Sequence, residues 1–197
     1  MVFIDTKKKE INVKIVYYGP ALSGKTTNLK VIYAKLNPKF RGELVTVDTK
    51  GERTLYFDFL PVEITLAGGF KVKFHIYTVP GQVFYRASRK LVLKGADGIV
   101  FVADSSPERR EANIQIMQEL SETLEEQGTP LGTIPLVLQY NKRDVPNALD
   151  VETLQADLNH LNAPYFLAVA SQEKGVFETL DAIVKLVIKK LTSKAPV

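Results

Sequence analysis

The sequence predicts a three-layer α/β domain: a six-stranded, mostly parallel sheet with one antiparallel edge strand, covered by helices on both faces. Three observations favour this fold class. Strand-like and helix-like segments alternate along the chain, one strand is apolar throughout, and two β-rich runs are separated by the hairpin signal Gly68-Gly69. Alternation of this kind builds a mainly parallel sheet between two helical layers. With 197 residues and 45% hydrophobic content, the chain is expected to form one domain over residues 1–197.

The first strand and the helix after it are predicted from their periodicity. Along residues 11–18, the apolar side chains of Ile11, Val13 and Ile15 alternate, as on the core face of a strand. A loop with two glycines follows, and residues 28–36 can then form a helix.

The next two runs predict a β-hairpin, residues 53–60 and 70–77. Pro61 interrupts the first run, and because proline has no N–H to donate to a ladder, this strand is placed at the edge of the sheet. Residues 98–104 are a continuous apolar run, which is typical of a strand buried on both faces of a parallel sheet.

The second half of the chain continues the alternation. Ser106 is predicted to cap a helix that has Pro107 at its first position. Residues 135–140 and 164–169 are the last two predicted strands. The final helix places its apolar residues on one face with a 3.6-residue period: Leu180, Ile183, Val184, Val187, Ile188 and Leu191.

The loop after the first strand, Gly19-Pro-Ala-Leu-Ser-Gly-Lys-Thr26, matches the phosphate-loop pattern G-x-x-x-x-G-K-[ST]. A loop between a strand and a helix N-terminus turns its backbone N–H groups inward and forms an anion cradle. In this pattern Lys25 reaches the β- and γ-phosphates and Thr26 ligates Mg²⁺. The candidate phosphate-binding residues are Gly19, Ala21, Leu22, Ser23, Gly24, Lys25, Thr26 and Thr27. The sequence therefore predicts binding of a nucleoside triphosphate.

The base is predicted from Asn141-Lys-Arg-Asp144, an N-K-x-D pattern directly after the fifth predicted strand. The Asp144 carboxylate can accept two hydrogen bonds, and guanine offers two adjacent donors, whereas adenine would leave the carboxylate unpaired. Asn141 is expected to hold the surrounding loops together and the stem of Lys142 to cover the base. These residues indicate a guanine nucleotide.

A third element, Thr78-Val-Pro-Gly81-Gln82, ends the third predicted strand. GTP-hydrolysing proteins usually carry D-x-x-G-Q here, where the glycine N–H contacts the γ-phosphate and the glutamine orients the attacking water. Gly81 and Gln82 fit, but Thr78 replaces the acidic residue. Two interpretations of Thr78 remain open: a hydroxyl that holds a Mg²⁺-bound water, or an ordinary β-branched strand residue.

Composition excludes several other classes of function. The chain has no cysteine, so disulfides, thiolate metal sites and cysteine nucleophiles are excluded. No apolar run approaches the roughly 20 residues that span a bilayer, and Val2 and the absence of cysteine argue against lipid anchors. The net charge of +4 is mild, with acidic residues interspersed, so nucleic-acid binding is not expected. We therefore expect a cytoplasmic protein without a transmembrane segment.

The chain resembles the MglA-type family of bacterial polarity and gliding-motility GTPases, which are small Ras-like proteins, over nearly its whole length. The segments that carry the resemblance are residues 19–27, 53–61, 74–85, 87–90 and 141–144, including the threonine at position 78. The resemblance implies a Ras-like fold, switching between GTP and GDP with Mg²⁺, and slow hydrolysis stimulated by a roadblock-fold activator of the MglB type. It also implies effectors that bind the switch regions, control of cell polarity and motility, and recruitment to a cell pole by partners.

The resemblance also assigns roles to individual residues. Thr54 looks like the switch threonine that contacts Mg²⁺ and the γ-phosphate, so that Thr26 and Thr54 are the candidate metal ligands. Arg53 looks like an arginine finger supplied by the chain itself, and with Gln82 it forms the candidate catalytic pair. The segment Ala168-Val169-Ala170-Ser171 looks like a further guanine loop, in which the Ala170 N–H meets the guanine O6.

One departure from the family pattern leaves alternatives open. The second variable position of the phosphate loop is commonly glycine in this family and is Ala21 here, so the hydrolytic geometry is crowded by a methyl group. The leading hypothesis is a GTPase switch with slowed turnover, and the second is a GTP-bound scaffold with little hydrolysis. A third, a phosphotransferase acting on a small acceptor, predicts an arginine-rich lid and no guanine loop, the reverse of this sequence.

Overall fold

The computed structural model describes residues 3–5, 9–48, 56–65, 69–80 and 85–193. The strands are β1 Phe3–Asp5, β2 Glu10–Tyr18, β3 Val45–Asp48, β4 Tyr56–Thr65, β5 Lys71–Thr78, β6 Gly98–Asp104, β7 Leu136–Asn141 and β8 Tyr165–Leu167. The helices are α1 Lys25–Lys35, α2 Arg86–Leu93, α3 Arg110–Glu126, α4 Val151–Leu158 and α5 Val176–Thr192.

The strands form one mixed sheet in the order β3-β4-β5-β2-β6-β7-β8, with β1 paired to β2. Neighbouring strands from β5 to β8 are parallel, while β4 runs antiparallel to both β3 and β5. The predicted fold class is confirmed, but the sheet has more strands than the predicted six. The additional strands are β1 and β3, which have 3 and 4 residues and are too short to show a sequence period. β1 pairs with Glu10–Asn12, the part of β2 that precedes its pairing with β6.

Pro61 lies where β4 is locally at the edge of the sheet. β3 pairs only with the first four residues of β4, Tyr56 to Phe59, so β4 itself is not the outermost strand. Beyond that point the outer side of β4 is approached by a loop, whose Gly42 N–H donates to the Pro61 carbonyl at 2.9 Å. The ring nitrogen of Pro61 faces the same outer side, so the inner ladder with β5 keeps its hydrogen bonds.

Two apolar cores lie on opposite faces of the sheet. On one face, Val13, Ile15 and Tyr17 of β2 pack in the same core as residues of α1 and α5. On the other, Val16 and Tyr18 share a core with residues of α2, α3 and α4. The alternation predicted for the first strand is therefore correct, and its odd- and even-numbered residues serve different cores. The predicted three-layer arrangement follows from this division.

The turn after β6 differs from the predicted helix cap. The Ser106 hydroxyl donates to Asp104 Oδ1 at 2.7 Å, and no side-chain hydrogen bond caps the following turn. Pro107 does occupy the first position, but of a short 3₁₀ helix, Pro107–Arg109, that leads into α3. A hydrogen bond to an ionised carboxylate is stronger than one between neutral groups, which favours the rotamer in which the hydroxyl turns back to the strand.

Helix α5 lies directly over the start of β6. Its buried residues include Leu180, Ile183 and Val187, as the sequence period predicted. Gly98 makes this close approach possible because a Cβ atom there would lie 2.6 Å from Val187 Cγ2. None of the helices within the described ranges is both long and apolar enough to cross a membrane.

We expect Gly98→Ala to lower the free energy of unfolding by about 1–3 kcal/mol, because the added methyl group overpacks the contact between β6 and α5. Urea denaturation measures this change. Gly132→Ala is the matched control, since a Cβ there meets only Leu161 Cδ2 at 3.8 Å, an ordinary contact. Equal stability of the two variants would show that α5 moves away from β6 without penalty.

Candidate nucleotide-binding site

A cavity of about 680 Å³ lies at the carboxyl ends of β2 and β5. Its wall includes residues of the segment 19–26, among them Lys25 at the start of α1, together with Asp58 and Thr78 from the hairpin strands. In open α/β sheets, ligands bind beyond the carboxyl ends of parallel strands. The predicted phosphate loop therefore lies in the expected place.

Two glycines give the phosphate loop its conformation. Gly19 and Gly24 have φ angles of +143° and +103°, which side chains disfavour. A Cβ on Gly19 would lie 2.2 Å from the Val102 carbonyl oxygen, and one on Gly24 would lie 2.1 Å from Asn141 Nδ2. Leu22 also has a positive φ, +64°, and its side chain is 84% exposed. The loop therefore keeps this conformation only with glycine at positions 19 and 24, where its backbone closely approaches Val102 and Asn141.

Lys25 is buried at the centre of this loop. Its Nζ donates to the carbonyls of Gly19 and Pro20 at 2.9 and 2.6 Å, so the ammonium lies across the loop. Burial, reinforced by the positive charges of Arg89 and Arg109, lowers the pKa of Lys25 from 10.5 to about 7. An anion bound in the cavity would offset all three effects.

A third cation ties the loop to the start of α3. Arg109 Nη2 donates to the Ala21 carbonyl at 2.7 Å. Ala21, the residue that departs from the family pattern, is therefore held through its backbone by a side chain from the 3₁₀ helix before α3. The sequence gives no signal for this contact, because the two residues are 88 positions apart.

Asp58 is the centre of a cluster of oxygen atoms beside the phosphate loop. This buried carboxylate accepts from the hydroxyl of Thr26 at 2.6 Å and from that of Thr46 at 3.0 Å. The Thr78 hydroxyl donates to Asp58 Oδ2 at 2.9 Å and accepts from the Asp58 N–H at the same distance. The acidic group that is missing from position 78 is thus supplied by the neighbouring strand.

Asp58 was not among the predicted site residues. The available signal was an aspartate inside the β-rich run 53–60, since aspartate is depleted in strands. Only the register of the hairpin, in which Phe59 is opposite Tyr77, shows that this aspartate lies opposite Thr78. Neither of the two interpretations of Thr78 anticipated that its hydroxyl would anchor a carboxylate on the next strand.

Asn141 joins the phosphate loop to the predicted guanine loops, as expected. Its Nδ2 donates to the Ser23 carbonyl at 2.8 Å, and its Oδ1 accepts from the Ala170 N–H at 2.9 Å. The Ala170 N–H, predicted to meet a guanine oxygen, is therefore used to connect the loops. The contact of this N–H with guanine O6 stays a prediction.

A pair of buried side-chain amides between α1 and β7 also stabilises the phosphate loop. Asn28 of α1 and Gln139 of β7 exchange two hydrogen bonds, of 2.8 and 2.9 Å. Asn28 also donates to the Gly24 carbonyl at 2.9 Å, and Gln139 donates to the Thr179 hydroxyl at 3.0 Å. All the side-chain oxygens and nitrogens of this network are buried, so its geometry is strongly specified.

The remaining residues of the N-K-x-D pattern follow the end of β7 and are not among the residues that line the cavity. Lys142 Nζ forms an ion pair with Asp104 Oδ2 at 2.6 Å, which holds the lysine stem in place. Asp144 is exposed, and its Oδ2 accepts a hydrogen bond from Gln172 Nε2 at 3.4 Å. Val169 forms backbone hydrogen bonds with Lys174, which close the turn beside Asn141.

Four residues of the predicted site lie outside the described residues: Arg53, Thr54, Gly81 and Gln82. Thr27 lies inside, in the first turn of α1, and lines the cavity. Tyr85, the residue before α2, also lines the cavity.

Comparison with known proteins identifies the family. The family model described as "ADP-ribosylation factor family" matches residues 1–187. The mutual gliding-motility protein MglA of Myxococcus xanthus is 56% identical over 191 residues, which cover 97% of this chain and 98% of that protein.

More distant relatives agree. Human ADP-ribosylation factor-like protein 4A is 32% identical over 72% of this chain and 63% of its own length. ADP-ribosylation factor-like protein 6 of Caenorhabditis elegans is 28% identical over 77% of this chain and 70% of its own length. The chain therefore belongs to the ADP-ribosylation factor family and, within it, to the MglA-type small GTPases, which bind GTP and GDP and hydrolyse GTP.

Proposed function

We propose that this GTPase is a molecular switch for cell polarity and gliding motility, a single domain over residues 1–197 that acts in the cytoplasm and is recruited to a cell pole by its partners. The motility role is carried over from the relative's name. The switch role rests on one observation: the buried Lys25, the Thr26–Asp58 contact and the Asn141 connection meet at one end of the sheet. Phosphate, metal and base groups of a nucleotide can therefore be held together there.

The nucleotide pose follows from these positions. The phosphates lie in the loop of residues 19–26, with Lys25 between the β- and γ-phosphates. The base lies beside Lys142, with its two donors on the Asp144 carboxylate. The Ala170 N–H, whose acceptor in the described structure is Asn141 Oδ1, would meet guanine O6.

The donor set beside the loop fits Mg²⁺. This ion prefers oxygen ligands and binds through one or two protein groups while it keeps several waters. Thr26 would ligate the metal directly, Asp58 would hold one of its waters, and Thr54 would contribute from the switch. When bound, the metal supplies positive charge to the phosphates.

Hydrolysis requires an oriented water and positive charge where negative charge develops. Gln82 would orient the water, Gly81 would contact the γ-phosphate, and Arg53 would stabilise the transferring phosphoryl group. Since both catalytic residues belong to this chain, a roadblock-fold activator of the MglB type need not supply an arginine of its own. Effectors would read the same switch segments.

The alternative is a GTP-bound scaffold. Its basis is Ala21, whose methyl group stands where the family commonly has glycine, and whose carbonyl is fixed by Arg109 at 2.7 Å. A fixed backbone leaves the loop less freedom to move the methyl group away from the γ-phosphate. This alternative predicts no phosphate release with an activator, and recovery of release in Ala21→Gly.

The switch and the scaffold are separated by single-turnover phosphate release with saturating roadblock-fold partner. We expect the partner to stimulate phosphate release in the wild type. Arg53→Ala and Gln82→Ala should each abolish this stimulation, because a positioned arginine contributes roughly 10³–10⁵ in rate and the glutamine orients the water. Both variants should keep nearly the wild-type affinity for GTP. Arg110→Ala is the control, since Arg110 pairs with Asp157 on the surface. Full stimulation of Arg53→Ala would assign the arginine to the partner.

We expect Asp58→Asn to need about 10- to 100-fold more free Mg²⁺ to keep the nucleotide bound. Loss of a group that orients a metal ligand usually lowers metal affinity by this factor. The amide keeps the size of the side chain but loses its charge. Release of a fluorescent GDP analogue across a Mg²⁺ titration measures this. Asp181→Asn, on the surface of α5, is the control, and an identical Mg²⁺ dependence would exclude Asp58 from the metal site.

Lys25 makes nucleotide binding depend on pH. Its pKa of about 7 means that it is mostly neutral at pH 8 in the unliganded protein, and phosphate restores its charge. Because unfolding returns the pKa to 10.5, the unliganded protein gains stability as pH rises from about 7 towards 10.5.

We therefore expect uptake of close to one proton when Mg²⁺–GDP binds at pH 8, and much less at pH 6. Calorimetry in buffers of different ionisation enthalpy measures the uptake. Lys30→Ala, an exposed change on α1, should retain it. Absence of uptake at pH 8 would show that Lys25 is already charged before binding.

A further inference from the structure

The phosphate loop contains a four-residue turn, Pro20 to Ser23, whose conformation does not suit its sequence. A long hydrogen bond of 3.4 Å from the Ser23 N–H to the Pro20 carbonyl closes the turn. Its third residue, Leu22, has a φ of +64°. A positive φ at this position belongs to the type II turn, which favours glycine or asparagine, whereas the common type I turn accepts most residues. The leucine therefore has a backbone conformation that its side chain disfavours.

Packing does not hold Leu22 in this conformation. Its side chain is 84% exposed, so it gains little from burial. The hydrogen bond that closes the turn is also too long to hold it firmly. Type I and type II turns differ in the orientation of their central peptide group, which here joins the Ala21 carbonyl to the Leu22 N–H. The contact that fixes this peptide group therefore decides which turn forms.

Arg109 provides that contact. Its Nη2 donates to the Ala21 carbonyl at 2.7 Å, a short hydrogen bond from a charged donor. In a type I turn the carbonyl would point in another direction and the bond would be lost. The Nε of Arg109 is buried and, within the described ranges, has no acceptor, which is a cost for the folded state. The contact with Ala21 offsets part of this cost.

The bound carbonyl also determines where the Leu22 N–H points. In a planar trans peptide group the C=O and N–H bonds point in opposite directions, so this N–H is directed away from Arg109. Ala21 and Leu22 line the cavity, whereas Arg109 is not among its lining residues. No described residue accepts a hydrogen bond from the Leu22 N–H. A backbone donor of this kind in an anion cradle is available to a phosphate oxygen.

We propose that Arg109 is a positioning residue: it holds the Ala21–Leu22 peptide group with its N–H turned into the cradle, and so slows the release of a bound nucleotide. The inference rests on the proposed function, in which the segment 19–26 holds the phosphates. Since Arg109 directly precedes α3, one side chain links the start of that helix to the phosphate loop.

The test measures the release rate of a fluorescent GDP analogue from the Mg²⁺-loaded protein in two backgrounds. With Leu22 present, Arg109→Gln should release the analogue about tenfold faster, because the leucine returns to a negative φ and the peptide group turns over. In the Leu22→Gly background the same change should alter the rate by no more than about twofold, because glycine adopts a positive φ readily. Arg110→Gln, at the neighbouring arginine that pairs with Asp157, is the matched control and should leave the rate unchanged.

The Leu22→Gly background separates positioning from two other effects of Arg109. The arginine also brings positive charge near the phosphates, and its loss would loosen the loop as a whole if its role were only structural. Either effect would accelerate release equally in the two backgrounds, and that result would overturn the inference. An unchanged release rate in Arg109→Gln would overturn it as well.

Arg109→Met provides a second route if Arg109→Gln does not fold. Methionine keeps an unbranched apolar stem but has neither the donor nor the charge, so we expect the same dependence on the residue at position 22. Failure of the proposed function would have a different result. If Lys25→Ala bound GDP as tightly as the wild type, the segment 19–26 would not be the phosphate site, whatever the Arg109 variants did.

Discussion

The nucleotide site depends on the position of one carboxamide. Asn141 contacts the Ser23 carbonyl and the Ala170 N–H, and so fixes the distance between the segments that we propose to hold the phosphates and the base. Gly24 makes this possible, because any Cβ at that position would occupy the place of the amide nitrogen. The amide pair of Asn28 and Gln139 supports the same junction from inside the core. The two segments are therefore parts of one rigid unit.

Buried charges around this unit are distributed in two ways. Arg89 and Glu119 neutralise one another, with every oxygen of the carboxylate engaged. Lys25, in contrast, contacts backbone carbonyls and lies near other cations, so its charge is fully compensated only by an anion. The Arg89–Glu119 pair stabilises the contact between α2 and α3. An anion bound beside Lys25 would stabilise the phosphate loop, because it would compensate the lysine charge. Ligand binding and local stability are consequently coupled.

Local features were predictable from sequence and long-range ones were not. The phosphate loop 19–26 was predicted because its residues are contiguous and each has a chemical reason. Strands β1 and β3 were missed because they are too short for a period. Asp58 and Thr78 are 20 positions apart, and Arg89 and Glu119 are 30 apart, so their contacts depend on strand register and helix packing. A sequence pattern shows which side chains are unusual, but the fold decides which of them meet.

The outer edge of β4 at Pro61 cannot pair with a strand from another molecule, which opposes aggregation. Exposed strand edges attract further strands, which extend the sheet from molecule to molecule. At Pro61 this edge has no N–H to offer, and its carbonyl is already bonded to the Gly42 amide. An incoming chain would therefore meet neither a donor nor a free acceptor there, and its ladder would break in the middle of the longest strand. The proline that interrupts the sequence pattern keeps neighbouring molecules from joining their sheets.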